Sequence, residues 1–210
     1  FLEISANKAC IACNQACLDH TFQAKRASCL VNPRACHETE LRYLPTQSKK
    51  KIAVVGSGPA GLAAATVAAE RGHEVTLFEA DDKIGGQFNI AKQIPGKEEF
   101  NETLRYFGKM LEKFRVTVKL SQRASVNDLA SFDEVIVATG IAPRKLGIPG
   151  SDHAKVLSYL DVLRDKKPVG QSVAVIGAGG IGFDVSEYLT HAHANDEKGH
   201  AASPLAHQYR

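Results

Sequence analysis

No cysteine occurs beyond position 36 of this 210-residue chain, although five fall before it: Cys10, Cys13, Cys17, Cys29 and Cys36. A disulfide-stapled secreted domain spreads its cysteines through the fold, so this clustering excludes one and favours a metal or redox site. Charge of one sign is also lacking. The formal net charge is +3 and the basic residues form no stripe, which gives no electrostatic basis for binding nucleic acid. Lys49-Lys50-Lys51 reads as a solvated entrance to a strand. No apolar signal segment follows Phe1, and a start other than Met is read as the inside of a longer protein or the result of processing. The uncharged run from Ile52 to Ala69 is long enough to resemble a membrane span, but the turn Gly56-Ser57-Gly58-Pro59-Ala60-Gly61 would break a spanning helix. No membrane helix and a cytoplasmic location are expected.

What is present is an ordinary globular composition, 44% apolar and 23% charged. Residues 1–48 are a cysteine-rich, irregular segment closed by Pro45 and a polar linker. Residues 49–146 alternate between strand and helix. Strands are expected at Ile52–Val55, Glu74–Phe78, Val116–Leu120 and Glu134–Ala138, and helices at Pro59–Arg71 and Lys97–Lys113. This alternation predicts an α/β fold with a parallel sheet covered on both faces. Residues 147–190 repeat the logic with a helix at Tyr159–Arg164, a strand at Ser172–Ile176 and a helix at Ile181–Leu189. From Thr190 to Arg210 periodicity stops, and a disordered tail is expected, with His191 and His193 read as solvated rather than as metal ligands.

The first glycine turn fits G-x-G-x-x-G, follows a strand, opens a helix and is succeeded by an acid, Glu79, at the end of the next strand. Gly56 permits the tight turn, Gly58 lets the backbone approach a pyrophosphate, and Gly61 allows close helix–sheet packing. Amides at the helix N-terminus meet the phosphate charge. Glu79 would accept hydrogen bonds from a ribose diol and repel a 2′-phosphate. The second turn, Gly177-Ala178-Gly179-Gly180-Ile181-Gly182, has the same context after Val173–Ile176. The position that separates NADP from NAD lies on a following strand that this sequence does not reach.

The spacing Cys10-x2-Cys13-x3-Cys17-x11-Cys29 places three thiols close together and a fourth on a later turn. It suits a [4Fe–4S] cluster held by four thiolates, with zinc as the alternative. Cys36 reads as a buried free thiol.

Further segments carry a resemblance. Ile84-Gly85-Gly86-Gln87-Phe88 and Val137-Ala138-Thr139-Gly140 resemble flavoproteins with two dinucleotide-binding domains, such as the disulfide reductases. There the first motif approaches FAD and the second marks the exit into an NAD(P)H domain. The cysteine block, Ser28-Cys29-Leu30-Val31-Asn32-Pro33-Arg34-Ala35, Gln93-Ile94-Pro95-Gly96-Lys97-Glu98-Glu99-Phe100, Ser158–Arg164 and Gly180–Asp184 resemble the bacterial NADPH-dependent 2,4-dienoyl-CoA reductases. More distantly they resemble trimethylamine dehydrogenase. The resemblance implies an iron–sulfur segment, an FAD domain and an inserted NADPH domain, after a barrel that holds FMN and the dienoyl-CoA. Cys10, Cys13, Cys17 and Cys29 match the cluster ligands. Ala60, Glu79, Gly86, Gln87 and Lys97 match contacts to FAD, and Ala124 a contact near its adenine. Gln15 lies beside the cluster. Lys97 as a surface lysine and Ala124 as a plain strand residue are the alternatives. No catalytic residue for the acyl-CoA lies in these 210 residues, which the resemblance reads as an internal fragment inactive on that substrate. A stand-alone FAD and iron–sulfur electron-transfer or sensing module, or an inactive truncated product, are the other functions considered.

Overall fold

The computed structural model describes residues 8–144 and 146–197. The chain divides into two compact units, Phe1–Phe88 with Glu99–Ile141 and Asn89–Glu98 with Ala142–Arg210.

In the first unit, runs rich in β-branched residues form β1 (Lys51–Val55), β2 (Glu74–Phe78), β3 (Thr117–Lys119) and β4 (Glu134–Val137). All pair parallel in the order β3-β2-β1-β4, with Val55 opposite both Phe78 and Val137. The expected α/β fold with a parallel sheet is therefore present. β3 and β4 are each shorter than the sequence pattern suggested.

Helix α2 (Pro59–Glu70) begins with proline at its first position, where the missing N–H costs nothing. Gly72, at φ +98°, turns the chain out just past its end. Helix α4 (Phe100–Lys113) buries Thr103, Phe107 and Leu111, one stripe at helical spacing. It starts at Phe100 rather than Lys97. Gly96, at φ +78°, holds the preceding turn in a left-handed conformation that a helix does not use. Alternation along the strands sends Ile52, Val54, Val75 and Leu77 to a core closed by Leu62, Ala65, Phe107 and Leu111. On the opposite face Phe78 is buried against Phe132, edge to face at 5.9 Å. Coverage of that face stops at the edge strand: Val135 and Val137 of β4 are 41% and 72% exposed, so the expected double layer is incomplete there. Three short helices were not foreseen: α1 (Leu18–Phe22), α3 (Phe88–Ala91) and α5 (Val126–Leu129).

In the second unit, α6 (Tyr159–Leu163) and α7 (Gly180–Glu197) pack Val162, Leu163 and Val185 around Ile94. The strand expected at 172–176 is absent. Val173, Val175 and Ile176 remain 48%, 41% and 74% exposed, and no described strand of this unit lies beside them to complete a ladder. The disorder expected from Thr190 is corrected as far as Glu197, where α7 ends. Thr190 Oγ1 donates to the carbonyls of Ser186 and Glu187, and His191 Nδ1 lies 3.0 Å from the Glu187 carbonyl oxygen. These polar side chains satisfy themselves on the helix they continue. The remainder of the expected tail, 198–210, falls outside the described residues. Among the described residues no helix is long and apolar enough to cross a membrane.

Candidate functional site

The first glycine turn sits where β1 ends. Gly56 adopts φ +102° and donates its N–H to the Phe78 carbonyl at 2.8 Å. A Cβ at position 56 would lie 2.3 Å from the Ala138 carbonyl oxygen, so the chain leaving β4 presses directly on the turn. At Gly61 a Cβ would meet the Gly56 carbonyl oxygen at 1.8 Å. Gly58 differs from both: nothing lies within 4 Å of the space its side chain would occupy. Leu62 N–H returns to Gly58 O at 2.9 Å and Pro59 has no N–H, which leaves the amides of Ala60 and Gly61 at the open end of α2. An open backbone flank beside helix-terminal amides is what a pyrophosphate requires.

Two further segments converge here. Gly85 N–H donates to the Ser57 carbonyl at 2.9 Å, and Gly86, at φ +51°, approaches until its Cβ would be 3.0 Å from Gly58 Cα. Gln87 follows on an exposed turn. At the end of β2, Glu79 Oε2 accepts from the Ser57 amide at 2.8 Å and the Ser57 hydroxyl at 2.6 Å, while Oε1 accepts from Asp81 N–H at 2.9 Å. Burial pushes the Glu79 carboxyl up, but the donors from Ser57, Asp81 and Ala80 outweigh it and hold it below the ordinary carboxylate range. The loop after β3 closes this corner, with Gln122 N–H on the Glu79 carbonyl at 2.8 Å and Ser121 N–H on that of Asp81 at 2.8 Å. Ala124 lies in this loop and not in a strand. Ser57, fully buried, is the residue of this corner that the motif leaves unspecified, because the x of G-x-G carries no constraint in the pattern.

In the second unit the same construction recurs. Gly177 has φ +113°, and a Cβ on Gly182 would meet its carbonyl oxygen at 2.0 Å, while Gly179 faces open space. A hollow of about 240 Å³ lies over this turn, lined by Val175, Gly177, Ala178, Gly182, Phe183 and Ser186. Lys97 Nζ binds both carboxylate oxygens of Asp184 at 2.7 Å and so is already engaged by a side chain of α7.

The cysteines depart from expectation. Cys10 and Cys17 are exposed, Cys13 and Cys29 half-buried, all as free thiols, and Cys36 is exposed rather than buried. Among the described residues no three His, Cys, Asp or Glu side chains converge as metal ligands. The segment is shaped by backbone bonds that do not require the thiols to meet, such as Asp19 N–H to Asn14 O at 3.1 Å and Ser28 N–H to Ala16 O at 2.7 Å. The donor chemistry nonetheless suits thiolate ligation. Ala12 N–H donates to Cys10 Sγ at 3.3 Å, and the Ser28–Ala16 bond draws the loop of Cys29 to that of Cys17. Gln15 is exposed beside them.

Comparison with known proteins agrees with this geometry. The profile of the family described as pyridine nucleotide-disulphide oxidoreductase matches residues 50–198. A metal reductase of Desulforamulus reducens is 37% identical over 195 residues, covering 90% of this chain and 29% of that protein. A cinnamate reductase of Clostridium sporogenes is 37% identical over 183 residues, covering 86% and 27%. A solved 2-naphthoyl-CoA reductase in complex with 2-naphthoyl-CoA superposes with a TM-score of 0.86 at 34% identity, over 90% of this chain and 29% of that one. The chain thus spans less than a third of the length of the relatives it matches. It belongs to the pyridine nucleotide-disulphide oxidoreductase family, membership of which implies binding of a flavin and NAD(P)H.

Proposed function

We propose that this member of the pyridine nucleotide-disulphide oxidoreductase family is the electron-input portion of a larger flavin enzyme, taking electrons from NADPH into FAD. The observation that carries the reading is Gly58, whose open flank lies between the Ala60 and Gly61 amides and the Ser57–Glu79 pair. In this reading Gly56, Gly58, Ala60 and Gly61 receive the pyrophosphate, Glu79 the adenosine ribose and Ala124 the adenine edge. Gly86 and Gln87 approach the remainder of the dinucleotide. Gly177, Gly179 and Gly182 form the nicotinamide-dinucleotide turn. Bound FAD supplies the conversion of a two-electron donor into single electrons. The chain's own residues bind and orient, and none of them is assigned a proton-transfer role.

The relatives support an input role. Their names differ in what they reduce, a metal in one and cinnamate in another, yet each is 37% identical to this chain. We assign the parent reaction to reduction of a 2,4-dienoyl-CoA in fatty acid β-oxidation, through an FMN-bearing barrel as partner. The solved relative that binds an aromatic acyl-CoA supports a thioester substrate class. Cys10, Cys13, Cys17 and Cys29 are the proposed ligands of a [4Fe–4S] cluster, a group that supplies one-electron storage. The proposed domains are 1–48 for the cluster, 49–146 for FAD and 147–190 for the start of the NADPH domain. Loading the purified chain with FAD tests the flavin half of this role, the NADPH site being incomplete in these 210 residues: a flavin band near one per chain supports it, and a folded chain that takes up none contradicts it.

A further inference from the structure

The second residue of the first glycine turn is the least constrained position of its motif, yet Ser57 is among the most constrained residues in the molecule. It is completely buried, and its backbone N–H and hydroxyl converge on a single oxygen, Oε2 of Glu79. Its carbonyl is taken by Gly85 N–H. Every polar group of Ser57 is therefore committed to protein, and its amide, which a glycine turn would otherwise offer to a phosphate, points to a carboxylate instead. Two donors on one oxygen restrain the Glu79 carboxylate, and Asp81 N–H holds the other oxygen at 2.9 Å. A freely rotating glutamate would lose side-chain entropy on gripping a hydroxyl, and this one has lost it beforehand.

We infer that Ser57 is the positioning residue for ribose recognition, aiming Glu79 at the adenosine diol rather than touching the phosphates itself. This rests on the dinucleotide reading of the turn given above. Hydrogen bonds to an ionised group are the stronger ones, and their value depends on alignment. Removing the Ser57 hydroxyl leaves the charge of Glu79 in place but releases its orientation. The loss then falls on ligands that carry the diol and spares ligands that lack it.

Calorimetric titration of the purified full-length chain, freed of nucleotide, with ADP and 2′,3′-dideoxy-ADP tests this. The proteins compared are the wild type, Ser57→Ala, Glu79→Gln and the double variant, with thermal melts run on each. The wild type is expected to prefer ADP by about tenfold or more. Ser57→Ala should lose most of that preference with the dideoxy affinity unchanged, and should add little further loss in the Glu79→Gln background. Equal weakening of both ligands by Ser57→Ala, full retention of the preference, or losses that simply add would each overturn the role. If Ser57→Ala does not melt cooperatively, Ser57→Gly, which keeps the amide and deletes the whole side chain, is read by the same criteria. Wild-type protein that binds neither ADP nor FAD overturns the dinucleotide reading together with this inference. Wild-type protein that binds both, with an indifferent Ser57 variant, overturns this inference alone.

Discussion

A Cβ placed on Gly61 would stand 1.8 Å from the carbonyl oxygen of Gly56, so α2 rests on the first glycine turn only because position 61 has no side chain. Gly61→Ala must push the helix away from the strand end it covers, and overpacking of this kind costs about 1–3 kcal/mol. The expected result is a clear drop in melting temperature with or without FAD present.

Gly58→Ala separates binding from folding. Its φ of −66° is open to any residue and its side chain would enter empty space, so stability should change by less than about 1 kcal/mol. The same methyl occupies the space assigned to the pyrophosphate. Equilibrium dialysis should show flavin affinity falling by at least about tenfold while the apo melting temperature barely moves.

Glu79 makes the first unit sensitive to acid. Its donors hold the carboxyl below its ordinary value of 4.5, so its stabilising contribution is complete above that value and disappears as pH falls through the lower, folded one. Melts between neutral and acid pH should show the wild type losing stability below about 4.5 more steeply than Glu79→Gln. Parallel curves would remove Glu79 from the acid response.

In the second unit, Ser158 caps α6: its Oγ accepts from Asp161 N–H at 3.2 Å, and the Asp161 carboxylate accepts from Ser158 N–H at 2.8 Å. Ser158→Ala should cost about 1 kcal/mol. Hydrogen exchange should place the loss at Val162 and Leu163, which that short helix buries, and not at the β1–β2 pair.

Cys13 and Cys29, as proposed ligands, differ from Cys36, which is given no such role. Protein purified anaerobically should lose its iron in Cys13→Ser or Cys29→Ser and keep it in Cys36→Ser, measured as iron and acid-labile sulfide. Equal iron in all three would contradict the ligand set.

The glycine turns were legible because their requirements are steric and local. Gly56, Gly61 and Gly182 each face a contact that no side chain permits, and Gly177 holds a left-handed φ of +113°; such positions leave a fixed pattern in the sequence. Ser57 was not legible, since its role exists only once β2 delivers Glu79 to the turn. Val173–Ile176 read as a strand because β-branched composition reports suitability for a sheet, whereas forming one needs a neighbour to share its hydrogen bonds. Thr190 and His191 suggested an end to order by their polarity, but both bond back to their own helix. The cysteine spacing identified donors by type and number, and convergence of those donors is a tertiary property that spacing does not encode. Ser125-x-x-Asp128 and Ser158-x-x-Asp161 are capping boxes visible in the sequence, and attention to the first would have found α5.

The most direct measurement of the central claim is the visible spectrum of the anaerobically purified chain, with the bound flavin identified after release. The account predicts a flavin band from FAD near one per chain. A folded protein, cooperative in its melt, that carries no flavin and takes up none from added FAD would contradict it.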